Sequence, residues 1–208
     1  MYLPRHFHQD DARRIAALLA AADFATLAAV IDGRLEASPL PFVHDPGPDG
    51  APGLIRGHVA RGNPIARAFD GATELTLLIA GPDAYISPDW YATPGMVPTW
   101  NYVALHLAGR ARVLADGELQ GLLDDLSARH EARLLPKPPW TSAKLTAQAL
   151  AALRQAITGF ALTVERVEPK WKLGQNRKPA DREGAIAGLR GRGDPASLAV
   201  AALMEENR

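Results

Sequence analysis

Cysteine is absent from the sequence. Disulfides, thiol nucleophiles, cysteine-ligated zinc and iron–sulfur clusters are excluded with it. An excess of one charge is missing too: 23 Lys and Arg stand against 23 Asp and Glu, for a formal net charge of zero. A surface that grips nucleic acid or anionic membrane over its whole extent is ruled out, though a local basic patch is not. No apolar run approaches the roughly 20 residues needed to span a bilayer. The opening MYLPRHFHQDD lacks the basic-then-apolar layout of a secretion signal, so the expected compartment is the cytoplasm. There is no dinucleotide fingerprint, no P-loop, and no Ser in a nucleophile elbow. His6 with His8, and the pair His130-Glu131, match no known zinc spacing, so no metal site is expected.

What is present is an ordinary globular mix: 208 residues, 47% apolar and 22% charged. That length suits a single domain over 1–208. With 18 Gly and 17 Pro, many turns and short strands are expected. Ile15, Leu18, Leu19 and Ala22 mark one face of a first helix, which Asp10 or Asp11 can cap. Two strand-like runs flank Asp32-Gly33, a type I′ hairpin signal. Pro39 and Pro41 remove ladder donors, so the second strand should lie at an edge or bulge there. Asp45 to Gly53 reads as a surface loop. Further strands are expected in GLIRGHVA, ELTLLIAG, AYIS, TWNYVALHLAG with RARVL, and GFALTVERVE. ELTLLIAG, apolar on both faces, reads as central. Two helices are expected over about 116–157, one carrying Leu119, Leu122, Leu123 and Leu126. The other carries Leu145, Ala149, Ala152, Leu153 and Ala156. A helical tail follows over about 180–206. Dense strands without βαβ alternation favour a small barrel with peripheral helices.

Three polar clusters stand out. In GHVARGNP, His58, Arg61 and Asn63 lie where a strand enters a helix opened by Pro64, a place that suits a phosphate. The plainer alternative is that Asn63 only caps and Arg61 is solvated. In VPTWNYVALH, Trp100 and Tyr102 offer flat stacking faces and Asn101 an amide, as for a planar heterocycle. The alternative is aromatics that fill a core or a subunit contact, with His106 a structural histidine. In EPKWKLGQNRKPADR, Lys170, Lys172, Arg177 and Lys178 are joined by the amides of Gln175 and Asn176. This reads as an anion-binding loop, or simply as a solvated basic one. No catalytic residue is assigned; His58 and Tyr91 are the titratable candidates.

In order along the chain, MYLPRHF, FATL, LPF, GHVARGNP, GPDAYISPDWY, VPTWNYVALHLAG, His130-Glu131 followed by Pro139-Trp140, Gly159-Phe160 and KLGQNR resemble the PaiB-type FMN-binding negative transcriptional regulators. Gly174 stands where that family usually has Ser. The resemblance implies a mainly β, α+β fold with peripheral helices. The implied architecture is a split β-barrel of the FMN-binding type, related in fold to pyridoxamine phosphate oxidases and expected to be homodimeric, with FMN at the subunit interface. It implies that His58, Arg61 and Asn63 lie at or beside the flavin phosphate or ribityl chain. Trp100, Asn101 and Tyr102 would border the ring or the interface. Lys172, Gln175, Asn176 and Arg177 would close the cleft from either subunit. The activity implied is that of a flavin-dependent oxidoreductase of unspecified substrate, or of a flavin-linked regulator. Two other functions stay open. One is a DNA-binding repressor working without flavin chemistry. Against it, the late helix SLAVAALMEE offers no Arg, Asn or Gln before Asn207 and carries two Glu. The other is a haem-binding split barrel with His58, His106 or His130 as axial ligand.

Overall fold

The computed structural model describes residues 1–48 and 52–207; part of the expected loop from Asp45 to Gly53 therefore lies outside the described residues. Among the described residues there are six strands: β1 Phe24–Ile31, β2 Arg34–Asp45, β3 Leu54–Ala60, β4 Asp70–Ile86, β5 Thr99–Val113 and β6 Ile157–Lys172. They close in the order β1-β2-β3-β6-β5-β4. Five helices accompany them: α1 Ala12–Ala21, α2 Asp116–Glu131, α3 Ala147–Gln155, α4 Pro179–Arg192 and α5 Pro195–Glu206. The chain divides into two compact units, one made of Met1–Leu18, Ala80–His106 and the stretch from Glu168 onward, the other of Leu19–Ile79 and Leu107–Val167.

The second unit holds the hairpin. Asp32 (φ 51°) and Gly33 (φ 77°) are both left-handed, as a type I′ turn requires. β2 pairs with β1 through Arg34 to Pro41, and its register with β3 begins only at Phe42 opposite Gly57. Pro39 and Pro41 thus fall where β2 pairs with β1 and its pairing with β3 has not yet begun, a local edge within a closed sheet. Ile55 and Val59 of β3 are buried, and Arg56 and His58 alternate onto the half-exposed face. At Gly57 a side chain would meet the Phe160 ring at 2.8 Å, so the strand carries none there. Phe160 in turn lies 4.8 Å from Phe69, centroid to centroid. In α2, Leu119, Leu122 and Leu126 bury against Leu114 and Ala161. Full burial of such a side chain is worth about 1.5–3 kcal/mol. In contrast, α3 buries none of its residues, and Leu153, expected on its core face, is 57% exposed.

The first unit is organised by a helical hairpin. Gly193 ends α4 in the left-handed region, and Asp194 then caps α5 by accepting from Ser197 N (3.0 Å) and Oγ (2.7 Å), with Pro195 at the first helical position. Ile186, Leu189, Val200, Ala201 and Met204 bury with Val103, Trp171 and Leu173. Ile15 and Leu18 of α1 pack on this cluster, and the Asp11 carboxylate caps α1 by accepting from Arg13 N at 2.9 Å.

Two expectations need correction. ELTLLIAG and AYIS are one 17-residue strand, β4, and burial alternates along it: Leu75, Leu77 and Ile79 are buried, while Thr76 and Leu78 are only half-buried. TWNYVALHLAG with RARVL is one strand, as expected. The basic segment from Glu168 is not a loop throughout. Lys170 and Lys172 lie in β6 and helix α4 starts at Pro179, so irregular backbone is confined to residues 173–178. The strand continues because Pro169, Lys170 and Trp171 are all buried, and the Lys170 ammonium is met by the Tyr2 carbonyl.

Candidate functional site

In the second unit, β3 delivers His58 to a half-buried position. Its Nδ1 is buried and has no hydrogen-bond partner, and burial holds the imidazole below its ordinary pKa, so the neutral form is favoured. Arg61 follows the strand end. Its Nε donates to the Gln155 carbonyl and its Nη2 to the Ile157 carbonyl at 2.9 Å. Asn63 has both ends engaged. Its Oδ1 accepts from Ile65 N (3.0 Å), capping the short 3-10 helix Pro64–Ala68, and its Nδ2 donates to Ser38 Oγ (2.8 Å). Asn63 is therefore a cap that also ties β2, and its side chain is committed to the scaffold.

In the first unit, alternation along β5 turns Trp100, Tyr102 and His106 to the exposed side and Asn101 inward. Asn101 is buried and donates to Met204 Sδ at 3.3 Å, so its amide fastens β5 to α5. Trp100 is 52% exposed and meets Tyr85 edge-on at 6.2 Å. Lys172 donates to Thr99 Oγ1 (2.7 Å) and to the Trp100 carbonyl (2.5 Å), and its Nζ lies 5.8 Å from the Tyr102 centroid. Lys170, itself buried, donates to the Tyr2 carbonyl (2.9 Å) and sits 5.2 Å from the same ring. Burial, and then the charges of Lys170 and Arg177, push the Lys172 ammonium below its ordinary pKa. Arg177 stacks 5.4 Å from the Tyr91 ring, and Asn176 is exposed. Gln175 serves its own loop, accepting from Leu173 N (2.8 Å) and donating to the Trp171 carbonyl (2.5 Å).

Trp100, Tyr102, Lys172 and Arg177 thus belong to one aromatic and cationic neighbourhood, whereas Asn101 and Gln175 are turned into the fold. Tyr85 was missed. Its position between buried Ala84 and Ile86 was the available signal, since alternation there sends Tyr85 outward. His106 lies 3.7 Å from the Glu168 carboxylate, a structural pairing. Among the described residues no group of three or more His, Asp or Glu is placed to hold a metal ion.

Residues 1–166 match the family described as "Putative FMN-binding domain". The chain belongs to this FMN-binding family. Over 206 residues it is 32% identical to the protease synthase and sporulation protein PAI 2 of Bacillus subtilis, covering 99% of this chain and 97% of the relative. An uncharacterized protein of Emericella nidulans is 30% identical over 205 residues, covering 83% of this chain and 82% of that protein. Among solved structures, an FAD and heme binding protein from Mycobacterium smegmatis superposes with a TM-score of 0.60 at 24% identity, covering 87% of this chain and 79% of that one. The flavocytochrome Anf3 from Azotobacter vinelandii superposes with a TM-score of 0.56 at 17% identity, covering 81% and 72%. The family member described here is therefore an FMN-binding, PaiB-like protein with a split β-barrel fold.

The residues present fit the flavin. His58 has a buried nitrogen that lacks a partner, and Arg61 keeps N–H donors beyond the two carbonyl bonds that orient it. The family match ends at residue 166, so His58, Arg61, Trp100, Asn101 and Tyr102 lie inside it and Lys172 to Arg177 lie beyond. No helix among the described residues is long and apolar enough to cross a membrane.

Proposed function

We propose that the protein is a cytoplasmic, homodimeric flavoprotein, an oxidoreductase or a flavin-linked regulator, and that it does not itself read DNA bases. The observation that carries this reading is the outward face of the first unit. Trp100 and Tyr85 are exposed side by side there, and Lys172 and Arg177 hold their charges against carbonyl, hydroxyl and aromatic partners. Exposed aromatic anchors with Arg nearby are the composition of a protein–protein contact, and the same groups suit a planar anionic ligand. In this reading a second copy of the chain rests on that face. Trp100 and Tyr102 border the ring or the subunit contact, and Lys172, Asn176 and Arg177 form its rim. Asn101 and Gln175 act by holding backbone in place. In the second unit, His58 and Arg61 meet the ribityl and phosphate groups, and Asn63 positions the turn that carries them.

When bound, the flavin supplies electron or hydride transfer at its ring. The chain's own part is to bind and orient it and to keep His58 neutral, so that the imidazole offers a hydrogen bond rather than a charge. Base reading is disfavoured by α5, whose Val200, Ala201 and Met204 are buried and whose Glu205 pairs with Arg190 at 2.6 Å. A recognition helix needs exposed donors at that place.

The test is a fluorescence titration of the purified protein with FMN, run beside sedimentation analysis and DNA retention assays. Quenched FMN in a dimer that retains all DNA sequences equally weakly supports the proposal. A monomer, or sequence-selective DNA retention with a steep salt slope, refutes it. Haemin added without a shifted Soret band removes the haem alternative.

A further inference from the structure

A cavity of about 280 Å³ opens in the second unit where α2 begins and α3 ends. Its walls include Arg61, Arg154, Asp116 and Thr158, with Val113 and Leu119 supplying apolar surface. Two arginines line this one small volume, and the guanidinium groups of both are oriented by neutral partners. Arg61 is held by the carbonyls of Gln155 and Ile157, and Arg154 donates Nη1 to Gln120 Oε1 at 3.0 Å. Those bonds fix the planes of the two groups without cancelling their charges, and each keeps N–H donors to spare. Cations that share a small space raise each other's cost unless an anion lies with them. The planar fork of Arg is the group whose geometry matches an oxyanion. The carboxylate on the wall, Asp116, is exposed at the first position of α2 and leaves the lining net positive.

We propose that this cavity binds a phosphate-class oxyanion through Arg61 and Arg154, with the Thr158 hydroxyl beside them and Asp116 setting the upper limit on affinity by repulsion. The oxyanion has two possible sources, the terminal phosphate of FMN or a free anion. The first source rests on the flavin reading above, and the second does not. Arg154 is new to the site. It lies in the last turn of α3, a helix with no fully buried residue, and it lines the cavity wall.

The experiment measures binding of FMN, riboflavin and inorganic phosphate by calorimetry for the wild type, Arg154→Ala, Arg154→Lys and Asp116→Asn. If FMN supplies the oxyanion, Arg154→Ala weakens FMN about tenfold or more, the usual loss for one charge-assisted bond, and leaves riboflavin unchanged. If the anion is free, the same variant weakens inorganic phosphate by that factor and leaves FMN unchanged. In either case Asp116→Asn tightens the anion and Arg154→Lys falls between wild type and Ala. A merely structural role for Arg154 predicts neither result, and these two variants carry the test should Arg154→Ala fold poorly. FMN and phosphate affinities that none of the variants moves overturn the proposal while leaving flavin binding intact. A wild type that binds phosphate in an Arg154-dependent way but ignores FMN keeps the anion site and defeats the flavin reading.

Discussion

Helix α4 carries three glycines whose replacement by alanine should change stability in different directions. Alanine for glycine in a helix favours folding by about 0.8–1 kcal/mol, because glycine loses more backbone freedom. At Gly191 an added methyl group meets nothing within 4 Å, so the gain stands alone, up to about 1 kcal/mol. At Gly188 the new carbon would lie 2.2, 2.5 and 2.6 Å from Cδ2, Cε2 and Cγ of Trp90, inside the ring's contact distance. Overpacking of this kind costs about 1–3 kcal/mol, so the net effect of Gly188→Ala is a loss of up to about 2 kcal/mol. At Gly184 the carbon would lie 1.9 Å from the Trp90 carbonyl oxygen. A main-chain oxygen cannot swing aside, so either the helix or the Pro88–Trp90 turn must move, and this variant should lose most. Urea or thermal unfolding followed by tryptophan fluorescence reads the series. For a chain of this length each kcal/mol corresponds to roughly 2–4 °C in Tm. Gly188→Ala that stabilises the protein as Gly191→Ala does would show that Trp90 does not rest on this helix, and the packing argument would fail.

Other predictions follow from single features. Gly33→Ala places a β-carbon at φ 77° with nothing else within 4 Å, so its cost, about 1–2 kcal/mol in urea unfolding, is backbone strain alone. No loss there would mean the hairpin turn is not type I′. The buried Asp181 carboxylate accepts from Thr93 N (2.8 Å) and Oγ1 (2.9 Å), and the backbone bond above all holds it below its ordinary pKa of 3.8. Its contribution is present above pH 3.8 and is lost as pH falls through the depressed value, so the stability gap between wild type and Asp181→Asn should narrow only in acid. A gap that stays constant from neutral pH to strong acid would contradict this. Trp100→Ala should weaken self-association about 30-fold or more by sedimentation if Trp100 anchors the second copy, and unchanged association would remove that face from the interface.

Much of the fold was legible because it is written in local chemistry. Asp32-Gly33 set the hairpin through its left-handed preference, and Asn63-Pro64 opens the short helix expected after β3. Strand length was less legible. Gly81, Pro82 and Asp83 read as a break, yet β4 runs through them. The candidate site was legible as three clusters of residue types, while the direction of each side chain was not. Trp100 and Asn101 are neighbours in sequence and face opposite ways, one exposed and one tied to Met204. The same holds for Gln175, whose amide closes its own loop, and for Arg154, which no motif marked and which lines one cavity with Arg61 only because α3 ends beside the start of β6.

The sequence by itself determined the class of the molecule. Alternating short-period apolar runs and turn residues require strands, and balanced charge without cysteine removes whole families of chemistry. Only the tertiary structure decided which polar groups are spent and which remain. Burial and hydrogen bonding depend on what distant segments bring to the same place, and that information lies in no local stretch of residues.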